Sequence, residues 1–183
     1  MTHVPATRIL AIDVKSFLLG VAVFELPVRL LDCGKRATSA DTCSAFIAQL
    51  LRKYAISAVV VRKLKRGEHR DTGRVRKGLH AVRMTARRYS IPVMVLSERR
   101  LRIFFRRYKR RTRYETAQLL ATAFPELKWA LPPARNFYDP EDRRMALFDA
   151  AALGATFLGT AKENERLQSL LASAVGVFSP ASR

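Results

Sequence analysis

Apolar residues in the first quarter of the chain fall in short, dense runs broken by polar residues, the pattern of strands rather than helices. Arg8 to Asp13 and Leu18 to Glu25 are rich in Ile, Val and Leu, so they read as an antiparallel hairpin joined by Val14-Lys15-Ser16-Phe17. Pro27 has no amide hydrogen to give to a ladder and marks the end of the second strand. Val28 to Cys33 reads as a third strand closed by Gly34. The period then lengthens. Asp41 is placed to cap a helix reaching Tyr54, with Phe46, Ile47, Leu50 and Leu51 on one face. Ser57 to Val61 is short and fully apolar, as befits a strand covered on both faces. Val75, Leu79, Val82, Ala86 and Tyr89 predict a long helix over Thr72 to Tyr89, and Ile91 to Leu96 a fifth strand. Ser97-Glu98 opens a short helix with Leu101, Phe104, Phe105 and Tyr108 inward. Thr112-Arg113-Tyr114-Glu115 fits a capping box for a helix through Phe124. Beyond the rigid Leu131-Pro132-Pro133 connector, Asp139-Pro140-Glu141-Asp142 reads as the opening of a helix that passes through Asp149 to about Thr160. Lys162 to Arg183 reads as one weak helix and a Ser/Pro tail.

This order predicts an α/β fold: a mixed five-stranded sheet, an antiparallel hairpin plus parallel crossover strands, with helices on both faces. Residues 1–161 form the expected domain and 162–183 a C-terminal helix and tail. Ligands gather outside the carboxyl ends of parallel strands, which here means near Asp13, Arg62 and Ser97.

Charge sharpens the picture. The 183 residues carry a formal charge of +19. Between Arg62 and Arg113 there are 20 Lys and Arg against Glu68, Asp71 and Glu98, which leaves +17 in the middle of the chain. Such concentration suits a nucleic-acid partner, through steering and counterion release. A membrane partner is not expected: no stretch approaches the roughly 18 apolar residues of a span, and no basic helix face is paired with a Trp/Phe/Leu-rich one. The N-terminus lacks the pattern of a secretion signal, and Cys33 and Cys43 make neither a disulfide framework nor a zinc site, so a cytoplasmic setting is the expectation.

Two acids interrupt apolar runs. Asp13 ends the first strand and Asp149 sits within the last apolar helix, and burial of a carboxylate needs a reason such as a metal ion or a hydrogen-bonded cap. Asp142 and Glu141 have a simpler role open to them at a helix N-terminus. Asp142 and Asp149 lie two turns apart on one predicted helix face, about 10.5 Å in rise, too far to clasp one ion unaided. Glu98 stands on the same rim and could supply a missing ligand, though opening a helix accounts for it better, and Glu25 lies at the far end of the hairpin. His3, His69 and His80 lack metal-ligand spacing, and no phosphate-cradling glycine loop is present. Lys65-Arg66-Gly67 reads as a basic loop over the crevice. Tyr108 and Phe137 could stack on bases, though core packing accounts better for most aromatics.

The motif Ile9-Leu10-Ala11-Ile12-Asp13-Val14-Lys15-Ser16 followed by Gly20-Val21-Ala22-Val23 resembles the opening of the RuvC Holliday-junction resolvase branch of the RNase H-like superfamily. Phe148-Asp149-Ala150-Ala151-Ala152-Leu153-Gly154 resembles that branch's final helix, an acid beside small residues that lean on the sheet. The YqgF-type nucleases share the outline, and Lys15 after Asp13 matches their first motif. The resemblance covers roughly Arg8 to Leu158. It implies carboxylates holding two Mg²⁺ (or Mn²⁺) ions about 4 Å apart, one activating water and one stabilising the leaving oxygen. It also implies a homodimer, which no self-complementary apolar stripe supports.

Two positions depart from the family's pattern. An acid is expected at the end of the fourth strand, where Val61-Arg62-Lys63 stands, and a second acid three residues before Asp149, where Ala146 stands. A guanidinium beside Asp13 would compete with Mg²⁺ and act as a built-in counterion. The expected function is therefore binding of structured nucleic acid, with divalent-metal-dependent endonuclease action on branched DNA as the leading activity. Asp13, Asp149 and Asp142 are its candidate catalytic and metal-binding residues. Lys15, Arg62, Lys63, Lys65, Arg66, Arg74, Lys77, Arg106, Arg107, Lys109, Arg110 and Arg111 are the expected nucleic-acid contacts. A binding protein that keeps the fold without the chemistry, or an RNA-processing nuclease of YqgF type, is the alternative.

Overall fold

The computed structural model describes residues 7–37, 40–64, 72–134, 140, 142–160 and 165–177. Lys65, Arg66, Phe137, Asp139 and Glu141 lie outside the described residues. Five strands, β1 (Arg8–Val14), β2 (Leu18–Glu25), β3 (Arg29–Ala37), β4 (Ala58–Arg62) and β5 (Val93–Leu96), form one sheet in the order β3-β2-β1-β4-β5. β1 pairs antiparallel with β2 and β2 with β3, whereas β1–β4 and β4–β5 are parallel. The predicted mixed α/β sheet is the observed one. β3 is longer than expected, running through Gly34 to Ala37 opposite β2.

Strand alternation sorts the side chains into two cores. Leu10, Ile12, Val21, Val23, Val59 and Val61 point to one face, covered by helices α1 (Ala40–Tyr54) and α2 (Thr72–Arg88). Ile9, Ala11, Ala22, Phe24 and Val60 point to the other. That second face receives α5 (Met145–Thr160), with α3 (Glu98–Arg106), α4 (Arg113–Ala123) and α6 (Glu165–Val177) packed around it. α6 inserts Leu167, Leu171 and Ala174 into the same core.

α5 is apolar all round because it lies between the sheet and other helices. Its small residues let it approach closely. A Cβ built on Gly154 would strike the Phe24 ring, and one on Gly20 would run into the backbone carbonyl of Ala146. Gly20 is the β2 residue paired with Asp13 of β1, so α5 crosses the sheet beside that acid.

The start of α5 corrects the sequence reading. The helix begins at Met145, not at the Asp139–Asp142 stretch. Asp142 lies in a turn where its carbonyl accepts from the Met145 amide. Asp142 and Asp149 therefore do not share a helix face. Of the helix starts predicted further upstream, Ser97 accepts from the Arg100 amide at α3 and Thr112 and Glu115 cap α4 reciprocally, whereas Asp41 lies inside α1, which already begins at Ala40, and does not cap it.

Gly20→Ala is expected to destabilise the protein by about 3 kcal/mol, since the added methyl meets rigid helix backbone rather than a flexible side chain. Urea unfolding of the variant beside wild type measures this.

Candidate functional site

Strand parity brings the site together. Asp13 follows Ile9 and Ala11 on the α5 face of β1, and Arg62 follows Val60 on the same face of β4. β1 and β4 are parallel, with Ile12 beside Val61, so Asp13 and Arg62 emerge as neighbours at the carboxyl rim. Arg62 Nε stands 2.9 Å from Asp13 Oδ1. This is ion-pair proximity without hydrogen-bond alignment, because neither Arg62 Nε nor Asp13 Oδ2 has a hydrogen-bond partner among the described residues. The same guanidinium donates from Nη1 to Glu98 Oε2 at 3.1 Å, and its Nη2 lies 3.7 Å from Asp149 Oδ1. Arg62 thus sits among three acids.

Two further cations hold Asp149. Lys15 Nζ is 2.7 Å from Oδ2, and Arg113 donates Nε to Oδ1 at 3.1 Å and Nη2 to Oδ2 in a two-pronged clasp. A cleft opens beside this cluster, lined by Glu98, Arg102, Phe105, Arg110, Arg111 and Thr116 along with Arg62, Arg113 and Asp149.

The two aspartates respond differently to this setting. Burial dominates at Asp13, which is only 2% exposed, and lifts its pKa from 3.8 to about 6 despite the Arg62 charge, with the neighbouring Asp149 adding to the rise. Burial pushes Asp149 the same way, but Arg113, Lys15 and Arg62 together outweigh it and hold this carboxyl below its ordinary value. For Arg62, burial opposes the charged form, and Asp13, Asp149 and Glu98 override it, so the guanidinium is held protonated more firmly than usual.

The structure therefore unites Asp13, Asp149, Lys15 and Arg62, as the sequence reading requires of its two remote acids. It does not bring Asp142 to them. Asp142 is occupied by Arg144, whose amide and guanidinium both donate to it, and this lowers its pKa to about 2. Lys63, Arg74, Lys77, Arg106, Arg107, Lys109 and Arg111 are exposed, and Arg110 is half-buried in the cleft wall. Tyr108 is packed against Phe104 in the core and is no base-stacking platform.

Arg113 escapes the sequence reading, and Glu98 enters it only as a lesser candidate on the rim. Glu98 reads as a helix opener, yet it has two roles: it opens α3 and reaches Arg62. Its place just after the last parallel strand is the available signal. Arg113 reads only as part of a capping box, and nothing in its neighbourhood in the chain points to Asp149.

Divalent ions fit this arrangement poorly. Three carboxylates meet three protein cations, so the cluster is already neutral, and the guanidinium stands where a metal would have to touch Asp13, Glu98 and Asp149 together. No group of three or more His, Cys, Asp or Glu among the described residues is arranged to hold a metal.

Solved structures share the whole framework. RuvC of T. thermophilus in complex with a Holliday junction substrate superimposes with a TM-score of 0.61 and 17% identity over 86% of this chain and 97% of that one. A second Thermus thermophilus RuvC structure gives 0.60 and 18%, over 82% and 92% of the two chains. The yeast mitochondrial Holliday junction resolvase Ydc2 gives 0.62 and 14%, over 95% and 85%. The chain has a RuvC-like RNase H fold. No protein-family model matches it, and no curated protein sequence does so either.

The folded state holds a proton on Asp13 more tightly than the unfolded chain does. Its contribution is fully present below pH 3.8 and is lost as pH rises through about 6. Asp149 and Asp142 run the other way, favouring the folded state above pH 3.8 and losing that contribution in stronger acid. Wild-type stability is expected to decline by on the order of 2 kcal/mol between pH 4 and 6.5 on account of Asp13. Denaturant titrations across that range show the decline, and in Asp13→Asn it disappears.

Proposed function

We propose that this chain is a binding protein for structured nucleic acid, branched DNA first, which seats phosphates in the cleft beside Asp13 and Asp149. The observation that carries the reading is the position of that cleft. It opens at the carboxyl rim of the parallel strands, and Arg62, Arg102, Arg110, Arg111 and Arg113 surround it. Arginine suits this work because its planar fork pairs with two phosphate oxygens at once. The basic helix α2 and the Arg106–Arg111 stretch extend the positive surface beyond the cleft, enough to track several phosphates. The RuvC structure solved on a Holliday junction has the same framework and makes a branched duplex the first ligand to try.

A second reading, divalent-metal-dependent cleavage of the bound strand, is favoured by the convergence of Asp13 and Asp149 on one rim. Mg²⁺ or Mn²⁺ would be the metal. Against it stands charge: a metal centre needs surplus negative charge, and Arg62, Lys15 and Arg113 remove it. RNA processing in the YqgF manner differs from this second reading mainly in substrate.

Fluorescence anisotropy with a four-way junction, its linear duplex, single strands and a structured RNA ranks the ligands. Junction binding is expected to be tightest, to fall steeply with salt and to be indifferent to EDTA. Equal affinity for every polyanion would reduce the reading to non-specific attraction. Replacing Arg102, Arg110 and Arg111 by Ala is expected to weaken binding at least tenfold and to flatten the logarithmic salt slope by about one for each phosphate that is no longer neutralised. Incubation of the junction with Mg²⁺ or Mn²⁺ decides the second reading: cleavage abolished in Asp13→Asn would establish the nuclease in place of the binder.

A further inference from the structure

We propose that Phe17, at the tip of the β1–β2 hairpin, is a stacking residue for an unpaired base, by which the site tells branched or interrupted DNA from a continuous duplex. The inference rests on the binding reading above and adds what the bound strand offers besides phosphate.

A single apolar side chain left in water is ordinary in itself, and only its position gives this one meaning. Phe17 is 63% exposed. It sits in a tight turn closed by a hydrogen bond from the Lys15 amide to the Leu18 carbonyl at 2.9 Å. Such turns favour Gly, Pro, Asn, Asp and Ser, each for its backbone or side-chain geometry, so a phenylalanine there serves neither the turn nor a core. The ladder behind it is regular, with Val14 opposite Leu19 and Asp13 opposite Gly20. The tip is therefore carried on the rim where the acids stand.

The tip is also tied down on both sides of the sheet. Lys15 reaches the α5 side and meets Asp149 at 2.7 Å. Phe17 reaches the α2 side, where the Arg74 guanidinium lies over its ring, 4.4 Å from the centroid. That contact covers one face of the ring and leaves the other to solvent. A flat π surface held in place before binding loses little freedom when a ligand arrives. Bases stack on such surfaces whatever their identity, because every base has a π face.

Charge on either side of the tip selects the polymer. Arg102, Arg110 and Arg111 line the cleft on the α5 side, and Arg74 and Lys77 are exposed on α2. In a continuous duplex each base is already stacked above and below and has no face to give to Phe17. At a branch point or a bulge the strands diverge. A base that has lost one stacking neighbour can take the ring instead, while the flanking phosphates meet the two cationic surfaces.

The test compares full-length wild type, Phe17→Ala, Phe17→Trp and Trp129→Ala by fluorescence anisotropy on a four-way junction, a duplex with one bulged base and a continuous duplex. Trp129 controls for exposure alone, being 69% exposed beyond the far end of α4 from Arg113. Phe17→Ala is expected to weaken binding to the junction and the bulge about tenfold and to leave duplex binding within about twofold. Phe17→Trp, which keeps a π face, and Trp129→Ala are expected to match wild type. A second readout is direct: 5-iodouracil placed at the bulge is irradiated in the wild-type complex, and the cross-link is expected on Phe17, and not when the same base is paired. Equal weakening on all three ligands, no weakening, or a cross-link that bypasses Phe17 overturns the proposal. Wild type that binds none of the three removes the binding reading and this proposal together, whereas wild-type binding that Phe17→Ala leaves intact removes this proposal alone.

Discussion

Charge neutrality at the ends of β1 and β4 is the constraint around which the site is organised. Two parallel strands deliver Asp13 and Arg62 side by side, and neither would be tolerable there alone. A buried carboxylate without a counterion is expensive, and a buried guanidinium equally so. Glu98 and Asp149 complete the solution on one side, Lys15 and Arg113 on the other. The cluster ties together the hairpin, the parallel strands and three helices of the α5 layer. Its ion pairs hold those elements in register more than they add to net stability, since desolvation offsets much of the Coulombic gain.

The same neutrality separates two properties that this fold can combine. Attraction of a polyanion needs an excess of cations around the cleft, which Arg102, Arg110 and Arg111 supply. Metal chemistry needs an excess of anions at its centre, which the guanidinium cancels. On the proposed reading, a nucleic-acid backbone is drawn to the cleft while the acids at its base stay internally compensated.

Much of this is legible in the residues, because strands announce themselves by period. Arg8–Asp13 and Leu18–Glu25 are readable as a hairpin from their Ile, Val and Leu content. Asp13 and Asp149 stand out because each breaks an apolar run, and Arg62 because it follows three valines. Parity along β1 and β4 is also available, and it predicts that Asp13 and Arg62 share a face. Less legible is anything decided by tertiary approach. Asp139-Pro140-Glu141-Asp142 has every local mark of a helix start, yet the pairing of Asp142 with Arg144 takes up that carboxylate and α5 begins at Met145. Glu98 and Arg113 look like helix-end residues because they are; their second attachment crosses 36 residues of chain and leaves no local trace.

The contact between Gly20 and Ala146 has a reach beyond its size. There helix and strand meet main chain to main chain, directly opposite Asp13, with no side chain between them to act as a cushion. Asp149 lies three positions further along α5, one turn from this fulcrum, so it has little freedom to drift relative to the sheet. A single bare α-carbon thus sets how far apart the two aspartates stand. Any lineage that enlarged it would have to reset the spacing of the whole acid cluster at the same time.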